Sequence, residues 1–227
     1  MYAKLRRQKM FSELKNAYKL VQYGLSLKKQ LAFAVGFALI GIVLEIVTQG
    51  RQAVGGFYIL ISGLFIYQLI ISSDVSTLVQ SSPYKKKIQC FYPIISVVPW
   101  TYVVFTLIAV IHGIFVKLGG EELTQTHAMN ILLIGCFLFV TMIYFGVTYK
   151  FFVISTVIMC ISITIPITVV NTLARSGTAL FDSYGRCVAI SYVLLTVGSL
   201  ISYLLSQIIY KYDLSEIAFR GMLGKKK

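Results

Sequence analysis

Glu45 is the only acid inside a long apolar stretch of this 227-residue chain. An ionisable group in such a place usually faces protein or water, where it can carry charge or a proton. Two histidines, His112 and His127, follow at the ends of later apolar stretches and are placed to be neighbours. Two imidazoles without a carboxylate cluster make a poor metal site, so their ordinary reading is interfacial side chains with satisfied hydrogen bonds. Four cysteines, Cys90, Cys136, Cys160 and Cys187, have no paired spacing and read as small buried apolar residues. Neither H-E-x-x-H nor G-x-S-x-G occurs, and Gly221-Met222-Leu223-Gly224-Lys225 lacks the spacing of a phosphate loop. The chain is therefore expected not to be an enzyme and to hold no metal or cofactor of its own.

These residues need elements to carry them, and the composition says which. Apolar residues make up 57% of the chain and charged residues 13%, against about 45–50% and about 25% in ordinary globular proteins. Residues 52–73, 88–116, 123–149, 151–174 and 187–210 contain no Asp, Glu, Lys or Arg, and 30–50 carries only Glu45. About 20 residues of helix cross a bilayer. The expectation is an all-α polytopic membrane protein with six transmembrane helices, near 31–48, 54–73, 90–116, 128–148, 151–173 and 187–210.

Placing the ends on alternate sides puts 17 of the 21 Lys and Arg residues with the two termini. The four on the other side are Arg51, Lys117, Arg175 and Arg186. The positive-inside rule then predicts both termini in the cytoplasm, and the expected location is the plasma membrane. The same distribution accounts for the net charge of +13 without a nucleic-acid partner.

Residues 1–29 form a segment of their own. Met10, Leu14, Ala17 or Tyr18, Val21 and Leu25 recur at helical spacing, with Lys9, Lys15 and Lys19 mostly off that face. This is the pattern of an amphipathic helix lying in the interface among membrane lipids, ahead of a transmembrane domain over 30–210 and a basic cytoplasmic tail over 211–227. In the first span Ala34, Ala38, Gly41 and Glu45 line one face. Small residues let helices approach closely in lipid, so the face is a candidate for helix packing, within the chain or across a dimer, or for a pathway. Glu45 alternatively reads as a hydrated carboxylate near Arg175 or Arg186. Between the second and third spans, Ser82 would cap a helix that restarts at Pro83 and continues through Tyr84, Lys85, Lys86 and Lys87. Pro93 and Pro99 then mark candidate kinks.

An interfacial helix, six spans with both ends inside, and a loop of form Pro-x-basic-basic over 81–88 resemble the membrane subunits of type-2 ATP-binding-cassette (ABC) exporters. The resemblance covers the chain by architecture and rests at residue level on Ser82-Pro83-Tyr84-Lys85-Lys86-Lys87. It implies a permease subunit that pairs with a second copy or a relative and docks a stand-alone ATP-binding-cassette ATPase, on which ATP and Mg bind. The loop would be the coupling helix, and the cargo an amphiphile such as a peptide, toxin, drug or lipid. The sequence also admits a non-transporting immunity, sensor or assembly protein, and a small ion-coupled carrier using Glu45.

Overall fold

A computed structural model describes Ser12, Lys15, Asn16, Lys19 and residues 27–74, 82–119, 121–162, 164–176 and 180–212. The expected interfacial helix over 1–29 and the tail over 211–227 lie almost wholly outside the described residues, as does Ser81. All regular structure among the described residues is helical: α1 (Leu27–Val47), α2 (Val54–Asp74), a π-helical turn (Lys87–Phe91) running into α3 (Tyr92–Gly119), α4 (Glu121–Thr148), α5 (Phe152–Ser162), α6 (Thr164–Arg175) and α7 (Tyr184–Ile209). Five apolar stretches are long enough to cross a membrane: Lys28–Val47, Lys87–Gly119, Leu123–Thr148, Val153–Arg175 and Tyr184–Ile209. α2 is a 21-residue helix and is apolar over Val54–Tyr67 as well.

Polarity is distributed as bilayer solvation would have it. Val103, Leu107, Val110 and Ile114 form an exposed apolar stripe on α3, and Val193, Val197, Leu200, Leu204 and Ile208 do the same on α7. Ser62, Ser96, Ser191, Ser202 and Ser206 are buried instead. Most of these hydroxyls bond to carbonyls, as Ser96 does to Tyr92 (2.8 Å) and Ser191 to Ile131 (3.1 Å). Such a surface would aggregate in water, so the fold is compatible with a multi-pass membrane protein.

Small residues set the two closest helix pairs. Along α4 and α7, a Cβ on Gly146 would lie 2.6 Å from the Ser202 carbonyl oxygen, and one on Gly198 would lie 3.2 Å from Phe139 Cα. On α1 and α2, a Cβ on Gly41 would lie 2.6 Å from the Gly55 carbonyl oxygen, and one on Gly55 would lie 2.7 Å from that of Gly41. Tyr67 of α2 reaches across to donate to the Phe145 carbonyl of α4 and stacks on the Phe145 ring.

The span expected over 151–173 is helical over Phe152–Ser162 and Thr164–Arg175, with Pro166 in the first turn of the latter. Two expectations change in detail. Of the link expected over 118–122, the described residues are helical: α3 includes Leu118 and Gly119, and α4 includes Glu121 and Glu122. At Pro93 the helix widens into the π turn: Tyr92 N–H donates to Lys87, five residues back. Widening makes room for a proline ring that would press on the Gln89 carbonyl in a regular α-turn. α3 then continues through Pro99.

Candidate functional site

The α1–α2 connection is a tight turn whose geometry begins the site. α1 ends where Gln49 and Gly50 take φ values of 51° and 64°, and Gly50 N–H donates to the Glu45 carbonyl (2.9 Å). This left-handed stop is favourable at glycine, which lacks a Cβ. Here the missing Cβ is also a packing requirement, since it would stand 2.9 Å from His127 Cε1 and 3.2 Å from His112 Cε1. Asn130 of α4 completes the turn by donating from Nδ2 to the Gly50 carbonyl (2.8 Å).

Under that turn Glu45, His112 and His127 are all fully buried. Gly56 N–H, in the first turn of α2, donates to Glu45 Oε1 at 2.5 Å. His112 Nε2 stands 3.1 Å from Glu45 Oε2, and His112 Nδ1 stands 3.0 Å from His127 Nδ1. The two rings meet edge to face, and Phe115 stacks on His127 from the next turn of α3. His127 Nε2 is buried without a hydrogen-bond partner.

The pattern of donors fixes what this chain of groups can do. A carboxylate at Glu45 only accepts, so His112 Nε2 carries the proton between them. A neutral His112 then offers a lone pair at Nδ1, and His127 donates to it from its own Nδ1. That leaves a lone pair at His127 Nε2 in a buried position. The groups are joined in series, and both ring nitrogens of His112 are already used. No group of three His, Cys, Asp or Glu among the described residues converges in a way that could hold a metal ion.

One sequence expectation is corrected here. Glu45 is not a hydrated carboxylate beside Arg175 or Arg186: it is buried against His112, which neighbours His127. All three belong to one buried cluster. The small-residue stripe is also located: Ala34 and Gly41 are buried, Ala38 is half-buried, and Gly41 packs on α2 of the same chain.

The second candidate region contains the described residues of the 81–88 loop. Ser82 Oγ accepts from Tyr84 N–H (3.1 Å), the bond an N-cap makes to the second helical residue. Lys85 N–H donates to the Ser82 carbonyl (3.0 Å), and Ile88 N–H to that of Tyr84 (3.0 Å). Pro83, Tyr84 and Lys86 are exposed, while Lys85 and Lys87 are partly covered. Lys86 lies 6.0 Å from the Tyr210 ring centroid and Lys87 lies 5.5 Å from that of Tyr92. An open groove of about 540 Å³ runs between Pro83, Tyr84, Lys86, Lys87 and Phe91 on one side and Tyr203 and Gln207 of α7 on the other. Behind it Cys90 and Tyr149 both bond to the Ser206 carbonyl, at 3.3 and 2.9 Å. Lys150, one of the 17 Lys and Arg residues on the side of the termini, is fully buried beside Tyr149.

Compared with family models, curated proteins and solved structures, the chain matches none.

Proposed function

We propose that the chain is the permease subunit of a type-2 ABC exporter in the plasma membrane. It pairs with a second copy or a relative and moves an amphiphilic cargo outward on ATP hydrolysed by a separate subunit. The observation that carries this reading is the element from Ser82 to Lys87. It is a capped, exposed turn standing ahead of α3 and bordering an open groove. The span does not need such an element, so it is available to a partner. Tyr84 is 66% exposed, and a large aromatic ring at the centre of a contact contributes more than rim lysines, whose exposed ion pairs give only about 0–1 kcal/mol each. Because the Ala34–Glu45 face is already packed on α2, pairing of two copies uses another surface.

The test is affinity purification of the full chain from its native cells, with expectation of a stoichiometric ATPase that Tyr84→Ala loses and Lys85→Ala keeps. Recovery of the same ATPase with Tyr84→Ala would overturn the docking assignment, and absence of any ATPase would overturn the exporter reading. Reporter fusions after Lys87 and Lys227 should read cytoplasmic and one after Glu122 external, as the Lys and Arg distribution requires.

A further inference from the structure

We infer that Glu45, His112 and His127 are a three-group proton relay that binds one proton at the α1–α2 turn and stores it on Glu45. The inference is independent of the exporter reading, because it uses none of the residues at 82–88.

Two observations distinguish a relay from a static clamp. A clamp would use all its polar atoms, yet His127 Nε2 is buried and unpartnered at the end of the series. The series also lies close to the surface, since Gly50 packs directly on both imidazoles while its neighbours Gln49 and Arg51 are exposed. One residue of backbone therefore separates the Cε1 edges of both imidazoles from the exposed positions of the turn.

The proton balance is complete without any further reactant. A proton adds to the lone pair of His127 Nε2. The proton on His127 Nδ1 passes over 3.0 Å to His112 Nδ1, and the proton on His112 Nε2 passes over 3.1 Å to Glu45 Oε2. The product is a carboxylic acid and two neutral imidazoles whose tautomers have exchanged. The three groups together go from one negative charge to none, which suits a buried site where charge is costly. The surroundings leave this equilibrium adjustable. Gly56 N–H from α2 bonds to Glu45 Oε1, and Arg51 supplies the positive charge in the connecting turn. Phe115 from α3 and Asn130 from α4 carry no charge. From α7, Tyr184 O–H is occupied with the Ala109 carbonyl at 2.5 Å.

The chain has only two histidines, so nitrogen-15 labelling of histidine reads the relay directly in the full chain in lipid nanodiscs. Across about pH 4 to 9 the two rings are expected to change tautomer together at one shared midpoint. Uptake of about one proton per chain, followed with a pH dye, accompanies that change. Glu45→Gln removes the final acceptor and the negative charge, so the midpoint falls to lower pH by at least about one unit, a tenfold loss of proton affinity. Independent midpoints for the two rings, or tautomers fixed throughout the range, would overturn the relay in favour of separate groups or a clamp. The wild-type titration decides this even if the Glu45→Gln chain fails to fold.

Discussion

Replacing Gly55 with alanine tests whether close backbone contact places Glu45. The added Cβ would lie 2.7 Å from the Gly41 carbonyl oxygen and 2.8 Å from Glu45 N, so rotation of a side chain cannot relieve it. Restoring an ordinary contact of about 3.4 Å moves α1 and α2 apart by roughly 0.7 Å. The same movement stretches the 2.5 Å bond from Gly56 N–H to Glu45 towards the weak limit of about 3.2 Å. Overpacking costs about 1–3 kcal/mol, and weakening a bond to a charged group adds about 1 kcal/mol. The gain in helix propensity from glycine to alanine returns about 1 kcal/mol, leaving a net loss of roughly 2 kcal/mol. Gly36→Ala is the control, since nothing lies within 4 Å of its Cβ position; it should gain about 1 kcal/mol from the same propensity. The two variants then differ by roughly 3 kcal/mol, more than hundredfold in the unfolding equilibrium. Titration of the detergent-solubilised protein with dodecyl sulfate, followed by the fluorescence of the single Trp100, measures that difference. Equal midpoints for the two variants would refute the claim that the α1–α2 contact is closed to a methyl group.

Gly50→Ala should cost about 1–2 kcal/mol from the positive φ alone and displace the His127 ring, read as lower unfolding stability together with shifted histidine resonances. Gly146→Val should separate α4 from α7, because its Cβ meets the Ser202 backbone at 2.6 and 2.9 Å; a loss of about 1–3 kcal/mol should appear as faster proteolysis in detergent. Asn130→Ala leaves the Gly50 carbonyl without its 2.8 Å donor and should cost about 1–3 kcal/mol, seen as a lower midpoint in the same dodecyl sulfate titration.

The helices were legible because a membrane-length helix writes itself into sequence as a gap between charges, as over 187–210. Their ends were less so. Glu121 and Glu122 read as loop, but both are helical. Packing of Ala34 and Gly41 was legible as small-residue spacing, but the partner was not, because spacing on one helix does not say whether the facing helix is in the same chain. The cluster of Glu45, His112 and His127 was hidden differently. Each residue stands out singly in the sequence, but their separations of 67 and 15 residues carry no motif. Depth was the available signal: all three sit towards the same end of antiparallel spans, where an unpaired acid would seek a donor.

The buried polar groups also explain how the α1–α2 hairpin is joined to the rest of the bundle. Between α1 and α2 the contact is glycine backbone on glycine backbone, which gives close approach but no charge specificity. Towards α3 and α4, the hairpin's turn is held by directional bonds: Glu45 to His112, and the Gly50 carbonyl to Asn130. Directional bonds select one register, because a displaced Glu45 would be a buried, unpaired charge. The arrangement that could carry a proton is therefore the same one that fixes the hairpin's place. Changing the charge of the site alters an interaction between two halves of the bundle, whereas filling the Gly41–Gly55 contact alters the hairpin itself. Those perturbations act at one end of the fold. The exposed turn at Pro83 and Tyr84 is built around Ser82 and the π turn, with none of the relay's residues, so disturbance of one region leaves the bonds that define the other intact.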